Sequence, residues 1–290
     1  MDLKTLIPTV SQVTLILMVA AIGMQAHWRE VIAAVRNFRG LWRAVLVVNI
    51  VVPAVAIAAC LALPIDQPIR IGIVIIAVSP LAPLLTGKLM RAGMNASRTV
   101  GTYVMLVLLS VIIVPATVAL ISSILPPDAS ISAGEVAKLV SVSVLLPLAV
   151  GLLVGAWLPK LAERLAGPIT LAGYVILGLL FVPVLISQAG QIVELFGNGT
   201  VLAMALTALA GIVAGHWLGG PDPVNRSALA LAAATRHPGI AALIVHANFT
   251  DPRIMLSVML FLAVSVAISA AYSLWIKKRP SGAVEVSVTV

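Results

Sequence analysis

Ser79-Pro80-Leu81-Ala82-Pro83-Leu84-Leu85-Thr86-Gly87-Lys88 interrupts one long apolar stretch of this chain, and Thr235-Arg236-His237-Pro238-Gly239 interrupts another. Pro deletes a helix hydrogen bond and clashes with the preceding turn, and Gly loosens a helix further. Each segment also carries a hydroxyl and a cation. That coincidence predicts two discontinuous helices. Lys88 and Arg236 lie inside apolar sequence, whereas the ten carboxylates (Asp2, Glu30, Asp66, Asp128, Glu135, Glu163, Glu194, Asp222, Asp251, Glu285) lie outside it or at its ends. An ionisable residue within a membrane segment marks a functional site by default. Two buried cations without a counter-charge predict a pocket for an anion.

Composition sets the surroundings of these breaks. Of 290 residues, 61% are hydrophobic and 10% charged, and the mean hydropathy is +1.15. Only helices and closed barrels satisfy every backbone group in lipid. Long apolar runs without period-two alternation argue against a barrel. The chain therefore reads as an all-α polytopic membrane protein. Nine spans follow, at 6–26, 42–63, 70–92, 99–124, 137–158, 168–188, 199–217, 227–249 and 254–276. Each is near the ~20 residues a helix needs to cross a bilayer. The two interrupted spans are five apart, so they run in opposite directions. Interrupted helices in corresponding positions of two inverted halves point to the binding site of a secondary transporter. The expected fold is an inverted-repeat transporter with two discontinuous crossing helices.

The net charge of +8 is not read as a nucleic-acid signature, because the basic residues are spread over short loops on one side. With the N-terminus outside, the inner loops hold Arg29, Arg36, Arg39, Arg43, Arg91, Arg98, Lys160, Arg164, Arg226, Lys277, Lys278 and Arg279. The outer side holds Lys4, Arg70, Lys138 and Arg253. Twelve against four places the N-terminus outside and the C-terminus in the cytoplasm. The expected location is a plasma membrane, the bacterial inner membrane. The first apolar run is long and precedes its positive cluster, which reads as a span rather than a cleaved signal peptide. The lone Cys60 excludes a disulfide within the chain and a Cys-based metal site.

Several features have plainer readings. Pro53, Pro115, Pro147 and Pro183 read as ordinary kinks. Gly151-x-x-x-Gly155 and Gly211-x-x-x-Gly215 read as close helix contacts inside the chain. Lys88 is close enough to Arg91 to snorkel toward the interface. His237 has the position of an N-terminal cap on the second half-helix. Thr86, Thr102 and Thr235 can bond their own helices, and His27, His216 and His246 read as packed or interfacial. No span interior offers paired acids or clustered His and acids, so no enzyme is expected. A membrane-embedded enzyme is the main rival from another class, and a receptor or regulatory membrane subunit, which would bind a ligand tightly without translocating it, is a further alternative.

At the two broken spans the chain resembles the sodium/bile-acid symporter family. The likeness runs through nearly the whole chain. Gly23-Met24-Gln25-Ala26, followed by a basic loop and a span ending near Pro53, looks like the family's second and third helices. The resemblance implies a ten-helix inverted-repeat fold, here without its first helix. It implies a single transmembrane domain over 1–290, with a core containing spans 70–92 and 227–249 and a panel of the remaining helices; the polar composition of 280–290 reads as a disordered tail. The resemblance also implies transport of organic anions such as bile acids, sterol conjugates or small carboxylates, usually driven by sodium.

The sodium ligands are where the sequence departs. Aligned on Arg236-His237-Pro238-Gly239-Ile240-Ala241, the family's ninth-helix Glu becomes Ala232, and its Gln-Asn pair becomes Arg236 and His237. Lys88 falls near a polar ligand of the fourth helix. Thr102 matches a sodium-ligand Thr, and Asn49 lies within one position of a family Gln. The expected substrate-binding set is Lys88, Arg236, His237, Thr86, Thr235 and Asn49; the expected ion-coupling set is Lys88, Thr102 and His237. Hard cations want several oxygen ligands, and negative charge helps. Ala232, Lys88 and Arg236 therefore disfavour sodium, and no resident cofactor or metal is expected. Lys88 and Arg236 are expected to replace two sodium ions and hold the broken helices apart. Transport is then uniport, exchange or proton-coupled at Lys88 or His237. Conventional sodium symport and an auxin-efflux-like carrier of similar fold are the alternatives. The expected partners are a small organic anion and the lipid bilayer, with no nucleic acid; the sequence does not give the oligomeric state.

Overall fold

Apolar side chains point outward over much of this molecule. The computed structural model describes residues 3–81, 96–122, 132–195 and 197–278. They form α1 (Leu3–Gln25), α2 (Trp28–Arg36), α3 (Phe38–Ala62), α4 (Gln67–Val78), α5 (Ala96–Ser122) and α6 (Ala133–Trp157). After these come α7 (Pro159–Ser187), α8 (Ala189–Glu194), α9 (Thr200–Leu218), α10 (Pro223–Ala234), α11 (Pro238–Asn248) and α12 (Pro252–Lys277). On α7, Leu171, Val175, Leu179, Val182 and Ile186 are exposed at helical spacing, while Leu177 and Phe181 on the opposite face are buried. Such a stripe suits lipid and not water. Among the described residues, α3, α6, α7, α9 and α12 are long and apolar enough to cross a membrane. Shorter apolar helices occupy Thr9–Gln25, Gln67–Val78, Val104–Ala119 and Pro238–Asn248. Each predicted span overlaps one of these segments. The expected tail at 280–290 lies outside the described residues.

Pro punctuates the helix starts. Pro159, Pro223, Pro238 and Pro252 open α7, α10, α11 and α12, where a missing N–H costs nothing and φ is preset. Ser132 caps α6 by accepting the Glu135 N–H at 3.3 Å, and Asp251 caps α12 by accepting the Arg253 N–H at 2.9 Å.

The two ends of the bundle differ in chemistry. At one end His216 Nδ1 lies 2.7 Å from the Tyr272 hydroxyl, and Trp275 meets the His216 ring edge-on and lies tilted against Tyr272. Arg43 reaches this end too, with its Nη1 3.9 Å from where a Cβ on Gly220 would stand. At the other end, the Asp66 carboxylate lies 4.0 Å from Arg253, which joins the starts of α4 and α12. Trp42, Trp157, Trp217 and Trp275 are all exposed near helix ends, as in the aromatic belt of a membrane boundary.

Small residues let the helices approach at their backbones. A Cβ on Gly151 would come 2.0 Å from the Ala20 carbonyl oxygen of α1. On Gly211 it would come 2.8 Å from the Ala233 backbone of α10. Both small-residue faces therefore pack inside the chain, as the sequence predicts. α1 is integral to the bundle, with Leu15 and Met18 fully buried between its neighbours. Gly151→Ala is expected to destabilise by about 3 kcal/mol, the top of the usual overpacking range, because backbone cannot swing aside. Gly178→Ala, with nothing within 4 Å of its Cβ, is expected to raise the melting temperature slightly through helix propensity. Thermal unfolding in detergent checks both; a harmless Gly151→Ala contradicts the packing.

Two prolines correct the sequence reading. Pro53 and Pro147, expected as ordinary kinks, each follow a π-helical turn, Val47–Val51 in α3 and Ser141–Leu145 in α6. Widening the turn lets the chain pass the proline ring without breaking the helix. The Val52 N–H bonds the Val47 carbonyl, and the Leu146 N–H bonds the Ser141 carbonyl. Each is one residue further than an α-helix allows.

The core lies around the short helices. Nearly all of α4 from Ile69 to Val78 and of α11 from Pro238 to Val245 is buried. At 1.5 Å per residue they span roughly 17 Å, about half the hydrocarbon thickness. Neither is long enough to cross the hydrocarbon layer by itself.

Candidate functional site

α10 stops at Ala234 and α11 starts at Pro238, so the predicted break in the eighth span is present. α4 stops at Val78, and Ser79 is already extended. The two interruptions meet. The His237 N–H donates to the Pro80 carbonyl at 2.8 Å, and Leu81 pairs with Arg236 in an isolated antiparallel bridge. Backbone that left its own helix thus finds partners in the other break, as buried amides must.

Arg236 is 1% exposed and is among the largest fully buried side chains. Its Nη1 donates to the Ser79 carbonyl at 3.2 Å, and its Nη2 donates to the Val48 carbonyl. Among the described residues no carboxylate pairs with it. The two carbonyls explain how the charge is tolerated. Ser79 caps the C-terminal, negative end of α4. Val48 sits in the π turn of α3. Two N–H groups could close a helix on its carbonyl: Val52, which is committed to Val47, and Pro53, which has none. The guanidinium therefore takes one carbonyl left open by the end of α4 and another left open by the π turn of α3. Arg236 thus joins the α10–α11 break to α3 and to the end of α4.

Other polar atoms at the crossing stay unsatisfied. Among the described residues none is a hydrogen-bond partner of Arg236 Nε, of either ring nitrogen of His237 or of Asn49 Nδ2, all of them buried. His237 is 2% exposed, and its ring lies 3.3 Å from where a Cβ on Gly239 would stand, with Leu15 of α1 close by. It occupies the N-cap position of α11, yet its side chain caps nothing. The ring is held at the positive end of a helix with its polar edge uncommitted. Buried polar groups in this condition are rare and call for an explanation.

The remaining predicted residues fall as follows. Thr235 is buried, and its hydroxyl donates to the Leu231 carbonyl at 2.8 Å. As a donor it is spent on its own helix, and only its lone pairs remain for a ligand. Asn49 stands beside Val48 in the π turn. Ala232 is buried in the last turn of α10, one turn before Arg236. Thr102 is half-buried near the start of α5. Lys88 and Thr86 lie outside the described residues. Sequence reasoning missed Val48, Ser79 and Pro53. The available signal was the parallel between Val47-Val48-Asn49-Ile50-Val51-Val52-Pro53 and Ser141-Val142-Ser143-Val144-Leu145-Leu146-Pro147. Each puts a polar residue four before its proline, and both Asn49 and Ser143 carry an unsatisfied buried atom.

Residues 12–195 match the model of the sodium bile acid symporter family. The match covers α1 to α8 and stops before α10 and α11. No curated protein matches the chain.

Proposed function

The chain belongs to the sodium bile acid symporter family, and from that premise we propose that it carries small or amphipathic organic anions by alternating access without binding sodium. Members of that family are transporters. One observation supports the finer reading: a guanidinium already fills the space between two orphaned carbonyls, and Ala232 stands where a carboxylate is needed. A further unit charge about 4 Å from a guanidinium costs roughly 4 kcal/mol at an effective dielectric of 20. That corresponds to an affinity loss of about a thousandfold.

In this reading Arg236 is a fixed cation that links α3, α4 and the α10–α11 break. The substrate anion meets the N-terminal end of α11 and the uncommitted ring of His237. Asn49 is a further donor, the lone pairs of Thr235 an acceptor, and Lys88 and Thr86 contribute from the other broken span. Coupling, where present, is to protons through His237 or Lys88, with Thr102 a secondary polar contact. The antiparallel meeting of the two breaks supports an inverted repeat, with both breaks in a core that moves against a panel of peripheral helices. The clustering of exposed Trp with basic residues supports a cytoplasmic face at that end, with the N-terminus opposite.

Uptake of labelled organic anions into proteoliposomes tests this reading, with sodium, proton or no gradient imposed. Sodium-independent accumulation of at least one bile-acid-like or small carboxylate substrate is expected. Failure of every anion in the panel under all three conditions overturns it.

A further inference from the structure

We infer that Pro53 is a positioning residue for Arg236. By lacking an N–H and forcing a π turn, it leaves the Val48 carbonyl free to hold the guanidinium. In an uninterrupted α-helix that carbonyl would accept the Val52 N–H. Here Val52 turns to Val47, position 53 offers no hydrogen, and the Val48 oxygen receives Arg236 Nη2 instead. The proline is thus the covalent cause of one of the two contacts on the buried cation, five residues from the carbonyl it frees and on a different helix from Arg236.

α6 supplies an internal control. Pro147 ends the same kind of π turn, with the Leu146 N–H bonded to Ser141, and it frees the Val142 carbonyl by the same logic. Among the described residues no arginine or lysine donates to that oxygen. The local backbone chemistry is therefore duplicated without a cation, which separates the role of Pro53 toward Arg236 from the general effect of a proline in a membrane helix.

The role rests on Arg236 being the fixed cation of the site. Its test reads thermal stability rather than transport, so it can fail while the functional reading stands, and the reverse. The experiment is a double-mutant cycle on the full chain in detergent, combining Pro53→Ala with Arg236→Ala and, in parallel, Pro147→Ala with Arg236→Ala. Alanine at 53 restores an N–H and lets α3 relax to an α-helix, so that Val52 takes the Val48 carbonyl. With Arg236 present, that strips a contact from a buried charge, and the melting temperature is expected to fall by several degrees. With Arg236 already removed, the same change satisfies an orphaned carbonyl, and the melting temperature is expected to rise. Pro147→Ala is expected to shift both backgrounds equally. Equal shifts for Pro53→Ala in the two backgrounds overturn the inference, since a purely structural proline gives that result. Should Pro53→Ala alone not yield folded protein, the pair Arg236→Ala and Pro53→Ala/Arg236→Ala decides it. A higher melting temperature for the double variant supports the role, and an equal or lower one refutes it. Should Arg236→Ala also fail to fold, the yield of folded double variant replaces the melting temperature: rescue supports the role, and no rescue overturns it.

Discussion

Arg236→Ala is expected to destabilise the protein by about 3–5 kcal/mol and to abolish uptake. The physical terms oppose one another. Removing the guanidinium relieves the cost of burying a charge, which favours the variant. It also orphans the Ser79 and Val48 carbonyls, at about 1–3 kcal/mol each for a buried group left unpaired. It further empties the space of one of the largest buried side chains, and large-to-small changes in cores cost about 2–5 kcal/mol. Orphaned carbonyls and the cavity together outweigh the relief. Arg236→Lys is expected to fall between Ala and wild type, because an ammonium keeps the charge but not the planar fork that reaches two carbonyls at once. Thermal unfolding and proteoliposome uptake of the three proteins check the order. A stable, fully active Arg236→Ala would remove the guanidinium from the account.

The second large effect is a gain. Arg236→Ala combined with Ala232→Glu is expected to make the protein sodium-responsive. The double change vacates the space between two carbonyl oxygens and places a carboxylate one helical turn away on α10, which supplies the oxygen donors and negative charge that a hard cation requires. The expected result is a melting temperature that climbs with sodium and not with equal choline, following the logarithm of ion concentration as linkage demands. Wild type is expected to show no such difference. A double variant as indifferent as wild type would mean that the carbonyl pair is not arranged as a cation site, whatever fills it.

How much of this was legible in the sequence depends on what kind of atom did the work. The breaks were readable because Pro, Gly, hydroxyl and charge coincided at Ser79–Lys88 and Thr235–Gly239, and the helices do stop at Val78 and Ala234. Nine apolar segments were readable because lipid imposes a length on each. The partners of Arg236 were not readable. Backbone carbonyls at Ser79 and Val48 carry no signature of their own, and which of them is unsatisfied depends on local helix geometry. Pro53 looked like a kink because sequence does not distinguish a proline that bends a helix from one that widens a turn. His237 was readable as an N-cap by position, while the idleness of its ring was not. Thr235 followed the plainer of its two readings by bonding its own helix.

Direct binding of labelled sodium to the purified wild-type protein, followed by scintillation proximity and competed with unlabelled sodium, tests the central claim most simply. With Arg236 held between the Val48 and Ser79 carbonyls, no saturable, competable sodium binding is predicted. Stoichiometric sodium binding that unlabelled sodium displaces would contradict it.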